Sequence, residues 1–500
     1  MSNHFGVCAR RQMRPQSLTS LIVLAVLMML GGCATRPINP PIEQVDLSKG
    51  YRFDTRWAHR SNYDAENLVV LAFSGGGTRA AAFSYGVLET LRDMEVIGPK
   101  GRKFRMLDEV DLVTGVSGGS FTALAYGLYG DKLFDLYETS FLKRDVQGTL
   151  IARAFNPGNW GSLASETWGR SELAANFYDE ILFHGATFAD LDRGTGPQVL
   201  ASATDISTGA RLGFTQYAFD YLCSDLNAVP LSRAAAASSA VPFVLSPVTL
   251  NNYGGRCKFA SPKWIEAFDN LATAPRPAAR ALRTREDLKS FQDSDHRPYI
   301  HLVDGGLADN LAMRAVLEVL EAAEALNILG QPTPLDHVRR IIVFVVNSRS
   351  SPKSSWDEVE HAPGNVELLI KATGVPIDHY SYEAVEQLKD TTARWQSMRR
   401  IRESATLPGN HDPELATLAR APDIELHVID VSFPALKDTA ELEYLNNLPT
   451  SFVLPPEAVD RLRTAAKTII ISSPELRRLL EDAGAKFTMQ PAPATNKVAP

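Results

Sequence analysis

The chain has 500 residues, 45% hydrophobic, 22% charged and 8% aromatic, with 33 Gly and 30 Pro; these are globular proportions, and they exclude wholesale disorder, collagen and coiled coil. Lys and Arg number 51 against 58 Asp and Glu, a net charge of −7, so the basic surplus of a nucleic-acid binder is missing. Four Cys in this length exclude a disulfide-dense scaffold and a multi-Cys zinc module, and the length itself suits one elaborated α/β domain with extensions.

Residues 1–32 read as a targeting segment. Arg10, Arg11 and Arg14 precede an apolar run over 18–30, whose core LIVLAVLMML has no polar residue. That run is shorter than the roughly 20 residues of a spanning helix and suits the apolar region of a signal peptide. Leu30-Gly31-Gly32-Cys33 closes it and resembles the lipobox of bacterial lipoproteins. The resemblance implies cleavage before Cys33 and acylation of Cys33, which would hold the protein stably on a membrane. Ala34 follows, where family patterns associate Asp with inner-membrane retention. The expected location is therefore the bacterial cell envelope, lipid-anchored at the outer membrane. An uncleaved anchor or an ordinary signal peptide is the alternative. Residues 1–32 hold three Arg and no acid, so the mature chain would carry 48 basic and 58 acidic residues, or −10.

Residues 33–66 begin Pro-rich and polar and read as a tether. A catalytic domain is expected over 67–347. Its first strand is the apolar run NLVVLAFS at 67–74, ended by Gly75-Gly76-Gly77. A helix fits 78–94, with Phe83, Val87, Leu88, Leu91 and Met94 on one face. Further strands are predicted at 109–115, 198–203, 299–303, 340–346 and 424–431, and helices at 311–326 and 382–403. Buried strands alternating with amphipathic helices argue an α/β layered fold with a mostly parallel sheet. Residues 249–297 read as an insertion whose Ala-, Pro-, Arg- and Asp-rich stretch carries Arg276, Arg280, Arg283, Arg285 and Lys289. Residues 348–485 read as a C-terminal α/β extension packed on the core, and 486–500 as a disordered tail.

Three glycine-rich motifs carry chemistry. Gly115-Val116-Ser117-Gly118-Gly119 is a GxSxG between a predicted strand and a helix. A nucleophile elbow needs that context, with glycines beside the Ser where a Cβ would clash. A Gly-rich turn with a capping Ser is the bland alternative. Ser74-Gly75-Gly76-Gly77-Thr78-Arg79-Ala80 sits at another strand-to-helix junction. Its bare backbone N–H groups suit an oxyanion or phosphate, yet it is neither GxGxxG nor GxxxxGK[ST], so no nucleotide site is supported. Arg79 either neutralises an anionic substrate group or ties the loop to a carboxylate. Asp304-Gly305-Gly306 follows the strand YIHLV, where the Asp can face a site above the sheet edge; Asp309 and Asn310 lie beyond.

An S-G-G-G-x-R loop, a GxSxG and a later D-G-G, in this order, resemble the patatin-like phospholipases. Ala237-Ser238-Ser239-Ala240-Val241-Pro242 matches a further segment of that family, and the S-G-G-G-x-R-A form is similar to cytosolic phospholipase A2 catalytic domains. The resemblance covers about residues 67–347 and implies a three-layer α/β/α fold with a mostly parallel central sheet. It implies a Ser–Asp dyad without His, in which Ser117 is the nucleophile and Asp304 its base, with the N–H groups of Gly75, Gly76 and Gly77 as the oxyanion hole. The implied reaction is hydrolysis of a lipid acyl ester through an acyl-Ser intermediate. No metal constellation appears in the sequence, with no HExxH and no EF-hand spacing, and no cofactor is expected. In simple members a short hairpin joins the Ala-Val-Pro segment to D-G-G; here residues 249–297 intervene.

Two other classes remain. A Ser–Asp–His α/β-hydrolase would draw on His337, His361, His379, His411 or His427, none of which lies in a distinctive motif. A non-catalytic envelope lipoprotein would have no use for an intact Ser, Asp and glycine loop. With Cys8 removed and Cys33 lipidated, Cys223 and Cys257 are the remaining thiols, and an oxidising compartment favours their disulfide over two separate buried thiols.

Overall fold

The computed structural model describes residues 34–53, 55, 66–194, 196–260, 279–328, 333, 335–351, 356–404 and 424–490. The expectations for the signal peptide, for Cys33 and for 491–500 lie outside the described residues, as does part of the insertion.

Strand β1 (Asn67–Phe73) is apolar on both faces. Val69, Leu71 and Phe73 enter one hydrophobic cluster, and Leu68, Val70 and Ala72 enter another. Such a strand belongs in the middle of a parallel sheet covered by helices on both sides. The remaining strands are β2 (Met94–Ile97), β3 (Lys103–Arg105), β4 (Val110–Val116), β5 (Gln198–Asp205), β6 (Arg211–Gly213), β7 (Val248–Asn251), β8 (Tyr299–Val303), β9 (Arg340–Asn347), β10 (Glu425–Ser432) and β11 (Lys486–Met489). The main sheet runs β10-β9-β1-β4-β5-β8-β7, with β6 paired to β5. From β10 to β5 the strands are parallel; the β5–β8, β8–β7 and β5–β6 pairings are antiparallel.

The helices that matter below are α1 (Gly77–Asp93), α2 (Gly118–Tyr129), α3 (Val146–Phe155), α4 (Pro157–Leu163), α5 (Arg170–Tyr178), α6 (Leu231–Ser238), α7 (Arg314–Ile328), α8 (Asn365–Ser404) and α9 (Pro456–Ser472). Leu88 of α1, Phe121 of α2, Phe177 of α5, Ala235 of α6 and Leu462 of α9 cover one face of the sheet. Val316 and Leu320 of α7 with Leu388 and Trp395 of α8 cover the other. This is the expected α/β/α layering. Truncating a ring as deeply buried as Phe73 would cost about 3–5 kcal/mol.

Two expectations are corrected. The stretch from 34 to 53 is no loose tether but a docked strap. Asn39 Nδ2 donates to Ser224 Oγ (2.8 Å) and Asn251 O (2.9 Å), Ile42 N donates to Cys223 O (2.9 Å), and buried Arg52 pairs with Asp220 at 2.7 Å. Its polar side chains satisfy buried partners, which composition alone does not reveal. From residue 348 onward, β10 pairs with β9 along its whole length and α9 packs on α1. The tail begins as a strand: β11 pairs with β2, and Phe487 and Met489 pack on the core at period two.

Candidate active site

β4 leads into Ser117, and α2 begins at the next residue. Ser117 takes φ 48°, ψ −124°, a conformation that costs an L-residue of order 1–3 kcal/mol and is kept where the surroundings fix it. Those surroundings are specific. Ser117 N–H donates to Ser238 Oγ at 2.9 Å, and Ser120 Oγ donates back to Ser117 O at 2.6 Å. A Cβ on Gly119 would lie 2.6 Å from Phe73 O, and one on Gly118 would overlap the Gly77 backbone. The glycines therefore let the elbow press against the end of β1, side by side with the Ser74–Gly77 loop.

β8 brings Asp304 to the same place from the opposite direction. It meets β5 through Val303 opposite Thr204 and Leu302 opposite Asp205, and its end is pinned from three sides. Asp304 N–H donates to Ala240 O (2.9 Å), Gly305 N–H to Ser238 O (3.0 Å), and Thr204 Oγ1 donates to Asp304 O (2.9 Å). The carboxylate then has two partners. Ser117 Oγ donates to Oδ2 at 2.8 Å, and Gly306 N–H donates to Oδ1 at 2.8 Å. Burial pushes the Asp304 carboxyl up to about 6, against the lowering pull of the Gly306 and Ser117 hydrogen bonds. Among the described residues no histidine bonds Ser117 or Asp304; His301 bonds Thr249 and His427 lies by Glu425.

The glycine loop flanks Ser117, but its three N–H groups are not equivalent. Gly75 N–H donates to Asn310 O at 2.9 Å, so it is already taken, which corrects its expected place among the oxyanion donors. Among the described residues no carbonyl accepts from Gly76 or Gly77. Both have positive φ, 138° and 62°. Gly77 opens α1, so two helix N-termini, those of α1 and α2, converge on this spot and favour negative charge there.

Arg79 is not available to a substrate. It is 3% exposed, with Nε donating to Ser348 O (2.8 Å), Nη1 to Leu448 O (2.9 Å) and Nη2 to Thr450 Oγ1 (3.1 Å). It holds the loop through these contacts. Cys223 and Cys257 are joined as a disulfide, Cα atoms 5.4 Å apart, fixing the start of the insertion to the turn after residues 216–221. In the insertion, Arg283 is spent on Asp287 (2.9 Å) and Thr208 O (3.1 Å), and Arg297 pairs with Asp205. Sequence reasoning gave no role to Ser238, Thr204, Ser348 or Ser451. Only Ser238 lay in a motif that drew attention.

The family model of patatin-like phospholipases matches residues 71–317. Human GIVD cytosolic phospholipase A2 is similar at 12% identity and a TM-score of 0.41, over 86% of this chain and 64% of that one. The same human enzyme with a methyl γ-linolenyl fluorophosphonate inhibitor and terbium chloride gives 13% and 0.41, over 90% of this chain and 66% of that one. The type III effector protein ExoU gives 12% and 0.20, over 83% and 79%. The chain thus spans about two thirds or less of the cytosolic phospholipase structures. No curated protein matches it.

Proposed function

Because this chain carries a patatin-like phospholipase domain over residues 71–317, we propose that it is a lipid acyl hydrolase, a serine esterase of phospholipase A or lysophospholipase type. The observation that carries the reading is the 2.8 Å hydrogen bond from Ser117 Oγ to the buried Asp304 carboxylate, set beside the N–H groups of Gly76 and Gly77.

Ser117 Oγ attacks the acyl carbonyl carbon of the ester while Asp304 Oδ2 takes its proton. The carbonyl oxygen becomes an oxyanion, held by Gly76 and Gly77 N–H and the two helix N-termini. The tetrahedral centre collapses, the C–O bond to the alcohol breaks, and Asp304 returns the proton to the leaving oxygen. Water then attacks the acyl-Ser117 ester with Asp304 as base, releasing the fatty acid and restoring Ser117. A base whose carboxyl sits near 6 is ionised at neutral pH yet basic enough to take a proton in the transition state. Cys33 is proposed as the acylated residue that keeps the enzyme at the bacterial outer membrane.

The test is a fluorophosphonate probe together with a panel of phospholipids and short-chain esters, on wild type and Ser117→Ala. Labelling and turnover should both depend on Ser117. A wild-type protein that neither labels nor cleaves any ester would favour the non-catalytic lipoprotein.

A further inference from the structure

A cluster of exposed apolar side chains lies beside the site, on segments the catalytic chemistry does not use. Val241, Phe243 and Val244 occupy the loop that starts one residue after Ala240, whose carbonyl holds Asp304 N–H. Phe243 is 73% and Val244 67% exposed. Phe243 also adopts φ 71°, an outlier for a bulky residue, so the chain is strained at the residue that holds this ring in water. The loop is fastened at its flanks: Arg170 Nη2 donates to Phe243 O (3.2 Å) and Ser171 N–H to Ser246 Oγ (3.0 Å). Arg170 opens α5, and the two helices just before it, α3 and α4, carry Ile151, Phe155 and Trp160, with Phe155 75% exposed. Monomers rarely leave apolar side chains this dense on one face without a use for it.

The start of the described chain says what covers them. Ser165 Oγ, two residues beyond the end of α4, donates to Ala34 O at 2.6 Å. Cys33 precedes Ala34 directly, and the apolar run 18–30 lies just upstream. One residue reaches no more than about 3.6 Å, so there is no slack between Ser165 and Cys33. A membrane attachment at Cys33, by acyl chains or by an uncleaved apolar run, is thereby brought beside Trp160 and the helices around it.

We propose that the face formed by α3, α4 and the loop 241–244 is the surface on which the protein lies against the lipid bilayer, with Phe155, Trp160 and Phe243 entering the head-group region and the mouth of the Ser117 site turned toward its substrate. The proposal rests on the N-terminal attachment, not on catalysis. Trp and Phe are the side chains that settle at a membrane–water boundary, and Arg170 beside Phe243 is an exposed cation suited to lipid phosphates.

The test uses full-length protein in vesicles of phosphatidylethanolamine and phosphatidylglycerol, in a Ser117→Ala background so that lipids stay intact. Brominated phospholipids should quench at least half of the fluorescence that Trp160 contributes, taken as the difference between this protein and the same protein with Trp160→Phe. In the active protein, Phe155→Ser with Trp160→Ser should lower hydrolysis of vesicle lipid at least tenfold and leave a soluble short-chain ester within twofold. An unquenched Trp160 would overturn the proposal, as would equal losses on both substrates. A wild-type dimer in detergent that the double variant dissociates would assign the face to a second copy instead. Failure of the hydrolase reading would show separately, as no turnover of either substrate with quenching intact.

Discussion

Asp304→Asn should remove activity and make the protein more stable, and the sign of the second effect is the sharper test of the site. Asp304 is buried, and burial raises its carboxyl from 3.8 to about 6. A raised folded-state value means the native protein holds its proton more tightly than the unfolded chain. Stability is therefore lost as pH rises between about 4 and 6, and the full cost is present at pH 8. Two units at 1.36 kcal/mol each give about 3 kcal/mol. Asn keeps the shape: its oxygen can accept from Gly306 N–H and its amide can donate to Ser117 Oγ, the partners Asp304 has now. Its second amide proton has no obvious acceptor and gives back about 1 kcal/mol, leaving a net gain of about 1–3 kcal/mol at pH 8. For a folded body of roughly 400 residues with about 2.1 cal/mol/K each, this is about 1–4 °C in Tm. The assay is thermal unfolding of wild type and variant at pH 8 and pH 4, comparing the two differences. At pH 4 the gain should have nearly vanished, because the wild-type carboxyl is then protonated. A variant no more stable at pH 8 than at pH 4, relative to wild type, would refute the argument that burial of a charge sets this group.

The same shift gives the turnover of a soluble ester an acid limb: kcat/KM should rise tenfold per pH unit up to about 6 and then level off, and a limb centred near 4 would mean that burial does not raise the Asp304 carboxyl. Arg79→Met should lower kcat about 10–100-fold with little change in KM, since it frees the loop that carries Gly76 and Gly77 without touching substrate; an unchanged kcat in a folded variant would count against the positioning role. Replacing Cys223 and Cys257 together by Ser should destabilise by roughly 3.8 kcal/mol, on the chain-entropy cost of closing a loop of 34 residues, read as a lowered unfolding midpoint that matches wild type under reductant.

The strands buried on both faces were the most legible part of the fold. The six expected strands each formed within two residues of the expected limits, because burial leaves few polar choices. What escaped was set by partners distant in sequence. Residues 34–53 look like a linker, yet Asn39, Tyr51 and Arg52 are buried by Ser224, Val199 and Asp220. β2, β3 and β11 are short, and β11 pairs with β2 across about 390 positions of sequence. At the site, Ser117 and Asp304 were legible because glycines on both sides of the Ser and directly after the Asp announce a backbone that must turn sharply. Gly75 was misassigned because a glycine that frees an N–H and one whose N–H is taken by Asn310 look the same in a sequence.

The glycine loop also explains why the chain beyond 317, where the family match ends, is part of the site. Ser74 N–H donates to Val346 O (3.1 Å), Ser348 N–H to Ser74 Oγ (3.0 Å) and Ser348 Oγ to Gly75 O (3.2 Å). On the other side Thr78 N–H donates to Ser451 O at 2.8 Å, and Gly77 lies so close to the Ser451 backbone that no side chain fits between them. Phe452, the next residue, packs edge-on against Phe121 of α2, the helix that starts beneath Ser117. The donors on either side of the pair are thus consumed, Gly75 by Asn310 and Thr78 by Ser451, and those of Gly76 and Gly77 are left. In the proposed mechanism these two donors hold the developing charge, and the walls behind them must not move, since preorganisation is what makes such donors effective. Here β9 and the segment 448–452 build those walls, so a chain cut after residue 347 would retain Ser117 and Asp304 while losing the Leu448, Thr450 and Ser451 contacts that keep the glycine loop in register with them.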